Sequence, residues 1–178
     1  MRLSCRALLI AALSLVMSLS ASADDPRVPA MTGSALPRQQ AQDALDHHNA
    51  RRQDVGVPPL TWSAELASVA QQWADQLARD RRCGLMHKPD NRYGENLFGG
   101  SGAAWTAKDA SEAWYSEIND YRYAVLDDDN WSAAGHYTQM VWRTTTRLGM
   151  GVARCANGAM VITAEYDPPG NIIGKAPY

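Results

Sequence analysis

Four side chains carry the residue types of a metal or acid–base site: His87 in GLMHKP, Glu95 in YGENLF, Glu117 in AWYSE and His136 in AAGHYTQMVWR. Neutral imidazoles are good ligands for zinc and similar metals, and carboxylates either ligate or hold an imidazole in one tautomer. Two histidines and two glutamates from four separate segments suit that chemistry. Their spacing alone does not assemble it: HExxH, paired CxxC and other short-range ligand motifs are absent. A lone histidine is ordinarily a surface group or a hydrogen-bonded core group. Glu95, between Gly94 and Asn96, could equally bond nearby backbone amides. The four act together only if the fold brings them together.

The elements that must do so are readable in outline. From Pro37 a helical period places Ala41, Ala44, Leu45 and His48 on one face, and it stops by Gly56 and Pro58-Pro59. His48 is expected to be structural and His47, off that face, solvated. Ser63 caps a second helix with the stripe Leu66, Val69, Ala70, Trp73, Leu77. Residues 83–105, with GENLFGGSG at their centre, read as turn-rich. Thr106 and Asp109 form a capping box for a third helix, with Ala110, Ala113, Trp114, Ile118 and Tyr121 on one face. Glu117 falls on that same face, where an unpaired carboxylate is costly, so it needs a partner.

RLGMGVARC and AMVITAEY alternate as strands around Asn157-Gly158, a strong hairpin signal. The tail DPPGNIIGKAPY is too rich in proline and glycine to be regular. Helices in front and strands behind predict an α+β fold in which helices cover a small antiparallel sheet. Trp62, Trp73, Trp114, Trp131 and Trp142 are expected in core and rim packing, not in a cofactor box.

Residues 1–23 have a basic start (Arg2, Arg6), an apolar run from Ala7 to Leu19 and the small-residue site Ala21-Ser22-Ala23, the pattern of a secretory signal peptide. Residues 24–36 read as a flexible leader, and 37–178 as the domain. Cleavage would remove two basic residues and no acid, taking the net charge from −2 to −4. A mildly acidic chain with no basic face is a poor nucleic-acid binder. No further apolar run reaches membrane-spanning length, so integral membrane association is not expected. The expected location is secreted, extracellular or periplasmic. Without Cys5, Cys83 and Cys155 remain, and in an oxidising compartment they most simply pair with each other, two free thiols being the alternative.

Taken in order, HNARRQDVGVPPLTW (48–62), CGLMH (83–87), GENLF (94–98), AWYSE (113–117), GHYTQMVWRTTTRLG (135–149) and YDPPGNIIGKAPY (166–178) resemble the CAP superfamily. That superfamily comprises cysteine-rich secretory proteins, antigen 5 and pathogenesis-related class 1 proteins. The motifs run in order from residue 48 to 178, within the domain read as 37–178. The resemblance is to the plant pathogenesis-related type, although the short, insert-free form also suits a bacterial secreted member.

The resemblance implies an α-β-α sandwich with a central cleft lined by His87, Glu95, Glu117 and His136. In such proteins the two histidines can bind a divalent metal, often Zn²⁺. With only two protein nitrogens, such a site would be open and weak, unlike a closed four-ligand zinc. Plant relatives carry three disulfides, of which Cys83 and Cys155 match both ends of one. Met150 and Ala164 stand where a second would cross the hairpin, and Ala134 stands at one end of the third. The residues AEYD before the tail depart from the plant cysteine-asparagine-tyrosine pattern, which puts release of the tail as a signalling peptide in doubt.

The resemblance also implies binding of a sterol, a fatty acid or an extracellular protein, in a defence or host-interaction setting, by a monomer. Metal-dependent hydrolysis of peptides or esters, with a glutamate as general base, is the competing expectation. Binding is favoured over catalysis, because no residue reads as an activated nucleophile and GGSG lacks the nucleophile-elbow pattern.

Overall fold

The computed structural model describes residues 28–178. The expected signal peptide, 1–23, lies outside the described residues. Those described form four helices and a four-stranded sheet ordered β1-β3-β4-β2.

Helix α1, Arg38–Asp54, buries Ala41, Ala44, Leu45 and His48 on its predicted face, and continues that face to Arg52. Helix α2, Ala64–Arg81, starts where Ser63 Oγ accepts from the Leu66 amide. It buries Leu66, Ala70, Trp73 and Leu77 from its predicted stripe, while Val69 is half-buried. Helix α3, Ala107–Ser116, opens on the predicted Thr106–Asp109 capping box. It is shorter than expected, passing into a single 3₁₀ turn over Glu117–Asn119. Within the helix Ala113 is solvent-facing rather than part of the apolar stripe, and Tyr121 lies beyond the helix end. Helix α4, Gly135–Met140, begins the stretch in which Tyr137 to Trp142 are all buried.

The predicted hairpin is present as β3, Arg147–Arg154, and β4, Met160–Asp167, with Gly158 at φ +84° in the turn. Two strands were not expected. The two-residue β1, Thr61–Trp62, runs parallel to β3. The stretch Gly94–Gly100, expected as turns, is the edge strand β2, antiparallel to β4. Its glycines argued for a loop, but Gly94 answers to close packing. A Cβ there would lie 2.0 Å from Gln139 Oε1 on α4.

Strand alternation then divides the molecule into layers. Leu148, Met150, Ile162, Ala164 and Tyr166 form one core with α1, α3 and α4. On the other face Leu97 and Val161 pack with Trp73, Ala74 and Leu77 of α2. Gly149 lets α2 approach, since a Cβ there would meet Ala67 N at 2.1 Å. The result is an α-β-α sandwich. Met150 and Ala164, where a second bridge would cross the hairpin, are register partners with no exposure. Cys83 and Cys155 are bonded, tying the end of α2 to the end of β3 across 72 residues. The segment 28–36 is irregular but held down. Val28 and Leu36 are buried, Arg38 Nε donates to Val28 O, and Trp62 Nε1 donates to Thr32 O.

Candidate functional site

His136 is the second residue of α4, and Glu117 accounts for its position. Glu117 Oε2 accepts from the His136 and Tyr137 amides at 2.9 and 3.1 Å, so the carboxylate serves the open N–H groups of the helix. Its Oε1 accepts from His136 Nδ1 at 2.6 Å. The partner that Glu117 needed on its apolar helix face is therefore His136 together with the start of α4. The imidazole stacks nearly parallel to the Trp114 indole, whose Nε1 donates to Leu97 O.

His87 reaches the sheet from the loop after α2. Glu95 Oε1 accepts from His87 Nδ1 at 2.6 Å and from the Lys88 amide at 3.1 Å. The imidazole is 68% exposed while the Glu95 side chain is 4% exposed, so the carboxylate is fixed and the ring projects from it. The Glu95 hydrogen bond raises the His87 pKa above the ordinary imidazole range, against the smaller opposing effect of burial.

Glu95 points to the α2 face of β2. Its neighbour Asn96, on the opposite face, donates from Nδ2 to His136 O at 3.1 Å. The two histidines thus come to the β2 edge from opposite faces of the sheet. They share one cleft of about 220 Å³ with Glu95, Asn96, Trp131, Ser132 and Asn171. Of the four residues singled out in the sequence, His87, Glu95 and His136 line this cleft, while Glu117, expected there too, stands behind His136 and holds it, so the four form two carboxylate–imidazole pairs. Among the described residues neither ring has a hydrogen-bond partner at Nε2.

Several supporting residues were not legible in the sequence. Arg52 is fully buried, and its guanidinium donates to the carbonyls of Pro58, Met140, Trp142 and Thr145, clamping the end of α4. Burial pulls its pKa down to about 10, so it stays charged at neutral pH. Asn171 fixes the other end of α4, donating to Gly135 O and accepting from Thr138 Oγ1. Trp131 stands at the rim of the cleft, 44% exposed.

His48 is structural, as expected. Burial pushes its pKa down to about 3, so the ring is neutral. Its Nδ1 therefore donates to Ala44 O, and Nε2 accepts from the Tyr166 hydroxyl, itself an acceptor for Asn96 Nδ2. His47, expected to be solvated, is instead half-buried and edge-on to Tyr115. That packing lowers its pKa, with burial the largest cause.

Among the described residues, no group of three or more His, Cys, Asp and Glu side chains is placed to hold a metal ion. The two-imidazole set fits a weaker mode of binding. When Nδ1–H is given to a carboxylate, the neutral ring keeps its lone pair at Nε2, and such pairs orient the ring and raise its basicity. Glu95 and Glu117 belong to that supporting role, because their oxygens toward the rings are already committed.

The family model described as CAP, the cysteine-rich secretory protein family, matches residues 45–166. Pathogenesis-related protein 1C of Nicotiana tabacum is 47% identical over 137 residues, which cover 77% of this chain and 80% of that protein. Among solved structures, NaASP2 with Zn²⁺ is 27% identical with a TM-score of 0.68, covering 79% of this chain and 85% of its own. BmVAL-1 is 26% identical with a TM-score of 0.70, covering 82% and 84%.

Proposed function

The chain belongs to the cysteine-rich secretory protein family, and on that premise we propose that it is a secreted binding module whose cleft takes a divalent metal on His87 and His136. The observation that carries this reading is the pairing of each imidazole Nδ1 with its own carboxylate at 2.6 Å, both rings lining one cleft. Each ring then offers Nε2, and water completes the coordination. The solved relative NaASP2 with Zn²⁺ supports zinc as the metal. Bound there, the metal would supply a positive centre for an anionic or carbonyl group of the ligand.

The residues around the metal set the ligand's shape. At about 220 Å³ the cleft is smaller than the roughly 300–1,000 Å³ that encloses a drug-sized molecule. A sterol or fatty acid would enter by its polar end, with Trp131 against its apolar part. An extracellular protein would insert a side chain. Defence or host interaction is the setting suggested by the names of the pathogenesis-related relatives. The pattern of residues 1–23 and the Cys83–Cys155 bond support secretion. Among the described residues no helix is long and apolar enough to cross a membrane.

Metal-dependent hydrolysis with a glutamate base is the competing reading, and hydrogen bonding weighs against it. Glu117 accepts three bonds from α4, and Glu95 uses Oε1 on His87 and Lys88 while its Oε2 is buried. Neither presents an uncommitted oxygen to a water in the cleft. Equilibrium dialysis against Zn²⁺ tests the binding reading. Wild type is expected to take up the metal and the His87→Ala/His136→Ala double variant to lose it. Equal uptake by both would overturn the site.

A further inference from the structure

The β2–β4 register sets Glu95 directly opposite Glu165. Opposed residues of an antiparallel pair point to the same face, with Cβ atoms about 5 Å apart. Both carboxyls are enclosed: Glu165 has no exposure, and the Glu95 side chain has 4%. Each uses one oxygen. Glu95 Oε1 holds His87 and Lys88, and Glu165 Oε2 accepts from Asn91 Nδ2 at 2.7 Å. The other oxygen of each, Glu95 Oε2 and Glu165 Oε1, is buried without any hydrogen-bond partner.

Two facing carboxylates with an orphaned oxygen apiece are untenable if both are charged, through desolvation and mutual repulsion. Of the elements packed on this face, the 83–93 loop alone brings cationic groups near, Lys88 and His87, and neither donates to an orphaned oxygen. Helix α2 covers it with Leu66, Ala67 and Ala70, all fully buried. The α2 acid Glu65 is exposed and lies beside Arg92 and Arg147. On β3 the register partner of Glu165 is Gly149, which has no side chain. From the 83–93 loop come His87, Lys88 and Asn91, and the first two give their N–H groups to Glu95.

A single proton shared between the two carboxyls satisfies both orphaned oxygens at once and removes one of the two charges. It belongs on Glu165, because Glu95 has an imidazole N–H and a backbone N–H to hold its charge, whereas Glu165 has a single amide. We propose that Glu165 is a neutral acid that donates from Oε1 to Glu95 Oε2, completing a Glu165–Glu95–His87 chain and acting as a positioning residue for His87. The electrostatics agree in direction. Burial is the largest effect and pushes the Glu165 pKa up to about 7; the negative Glu95 adds to that rise, and Asn91, Lys88 and His87 oppose it. The bearing of this chain on ligand binding rests on the metal reading of His87; the protonation itself does not.

Carbon-13 NMR of glutamate-labelled, metal-free protein tests the proposal, together with nitrogen-15 shifts of the His87 ring. In wild type one glutamate carboxyl is expected to stay protonated until near neutral pH, and to be missing from the spectrum of Glu165→Gln. His87 is expected to show an inflection besides its own titration, following that carboxyl. Glu165→Gln keeps an N–H donor toward Glu95 at every pH, so it should preserve the His87 ring position and remove the extra inflection. Glu165→Leu removes the donor and should shift the His87 signals throughout; if it fails to fold, the Gln variant still decides. A wild type in which every glutamate titrates in the ordinary carboxylate range, or the same His87 profile in wild type and Glu165→Gln, would overturn the proposal. Zn²⁺ calorimetry on the same samples is the separate arm: no binding by wild type, with the NMR behaviour as expected, defeats the metal reading and leaves the carboxyl chain standing.

Discussion

Glu117 meets His136 at two atoms of one residue, the backbone amide and ring Nδ1, with one carboxylate oxygen on each. The same contact that starts α4 therefore also sets the tautomer of the ring. Substituting Glu117→Ala should lower stability by about 2–3 kcal/mol, the range for losing hydrogen bonds to a charged group. Urea denaturation measures this. Glu117→Gln is expected to cost less, because its amide oxygen still accepts from α4. A Glu117→Ala protein as stable as wild type would contradict the cap.

Arg52 positions the cleft without touching it, through the carbonyls at the end of α4. Arg52→Leu leaves these buried acceptors without a donor and should cost at least about 3 kcal/mol. The variant should also bind Zn²⁺ more weakly than wild type under conditions where both are folded, since α4 carries His136. Unchanged stability would show that the clamp is dispensable.

The Cys83–Cys155 bond closes a long loop, with its ends 72 residues apart. On the chain-entropy model, replacing both cysteines by alanine should lower stability by roughly 4 kcal/mol. Thermal melts of the double variant and of the reduced wild type should agree, and a melt equal to that of the oxidised protein would refute the contribution.

His48 makes the fold acid-sensitive. Its folded pKa is depressed to about 3 from 6.5, so folding favours the neutral ring. The stability it provides is complete above pH 6.5 and is lost as pH falls from there toward 3. His48→Gln should be less stable at neutral pH and should lack that part of the acid slope. Denaturation at a series of pH values checks this, and equal slopes in both proteins would contradict it.

Zn²⁺ uptake should also weaken in acid, for a reason of opposite sign. Glu95 raises the His87 pKa, so the ring takes a proton at Nε2 more readily than a free imidazole and the metal must displace it. Glu95→Gln should move the loss of Zn²⁺ binding to lower pH, as read by calorimetry across the acid range. An unmoved profile would separate His87 from the metal.

The sequence made the helices legible because their apolar residues keep the helical period, as at Ala41, Leu45 and His48 or Leu66, Ala70 and Trp73. Glu117 was legible as a problem, a carboxylate on an apolar face, although its answer lay on a helix 19 residues away. Strand β2 was hidden by its glycines, whose purpose at Gly94 is tertiary contact with Gln139. Glu165 was hidden by alternation itself. In MVITAEY a polar residue at that position reads as solvent-facing, and only the α2 layer over that face makes it a buried acid. Arg52 looked like one more charge near a helix end until the chain returned around it.

On the binding reading, His87 and His136 converge on one metal. Crystals soaked in Zn²⁺ and measured by anomalous diffraction at the zinc edge test it most directly. The expected result is an anomalous peak about 2.0–2.1 Å from Nε2 of both rings. A peak bound to only one of them, or none in the cleft, would contradict it.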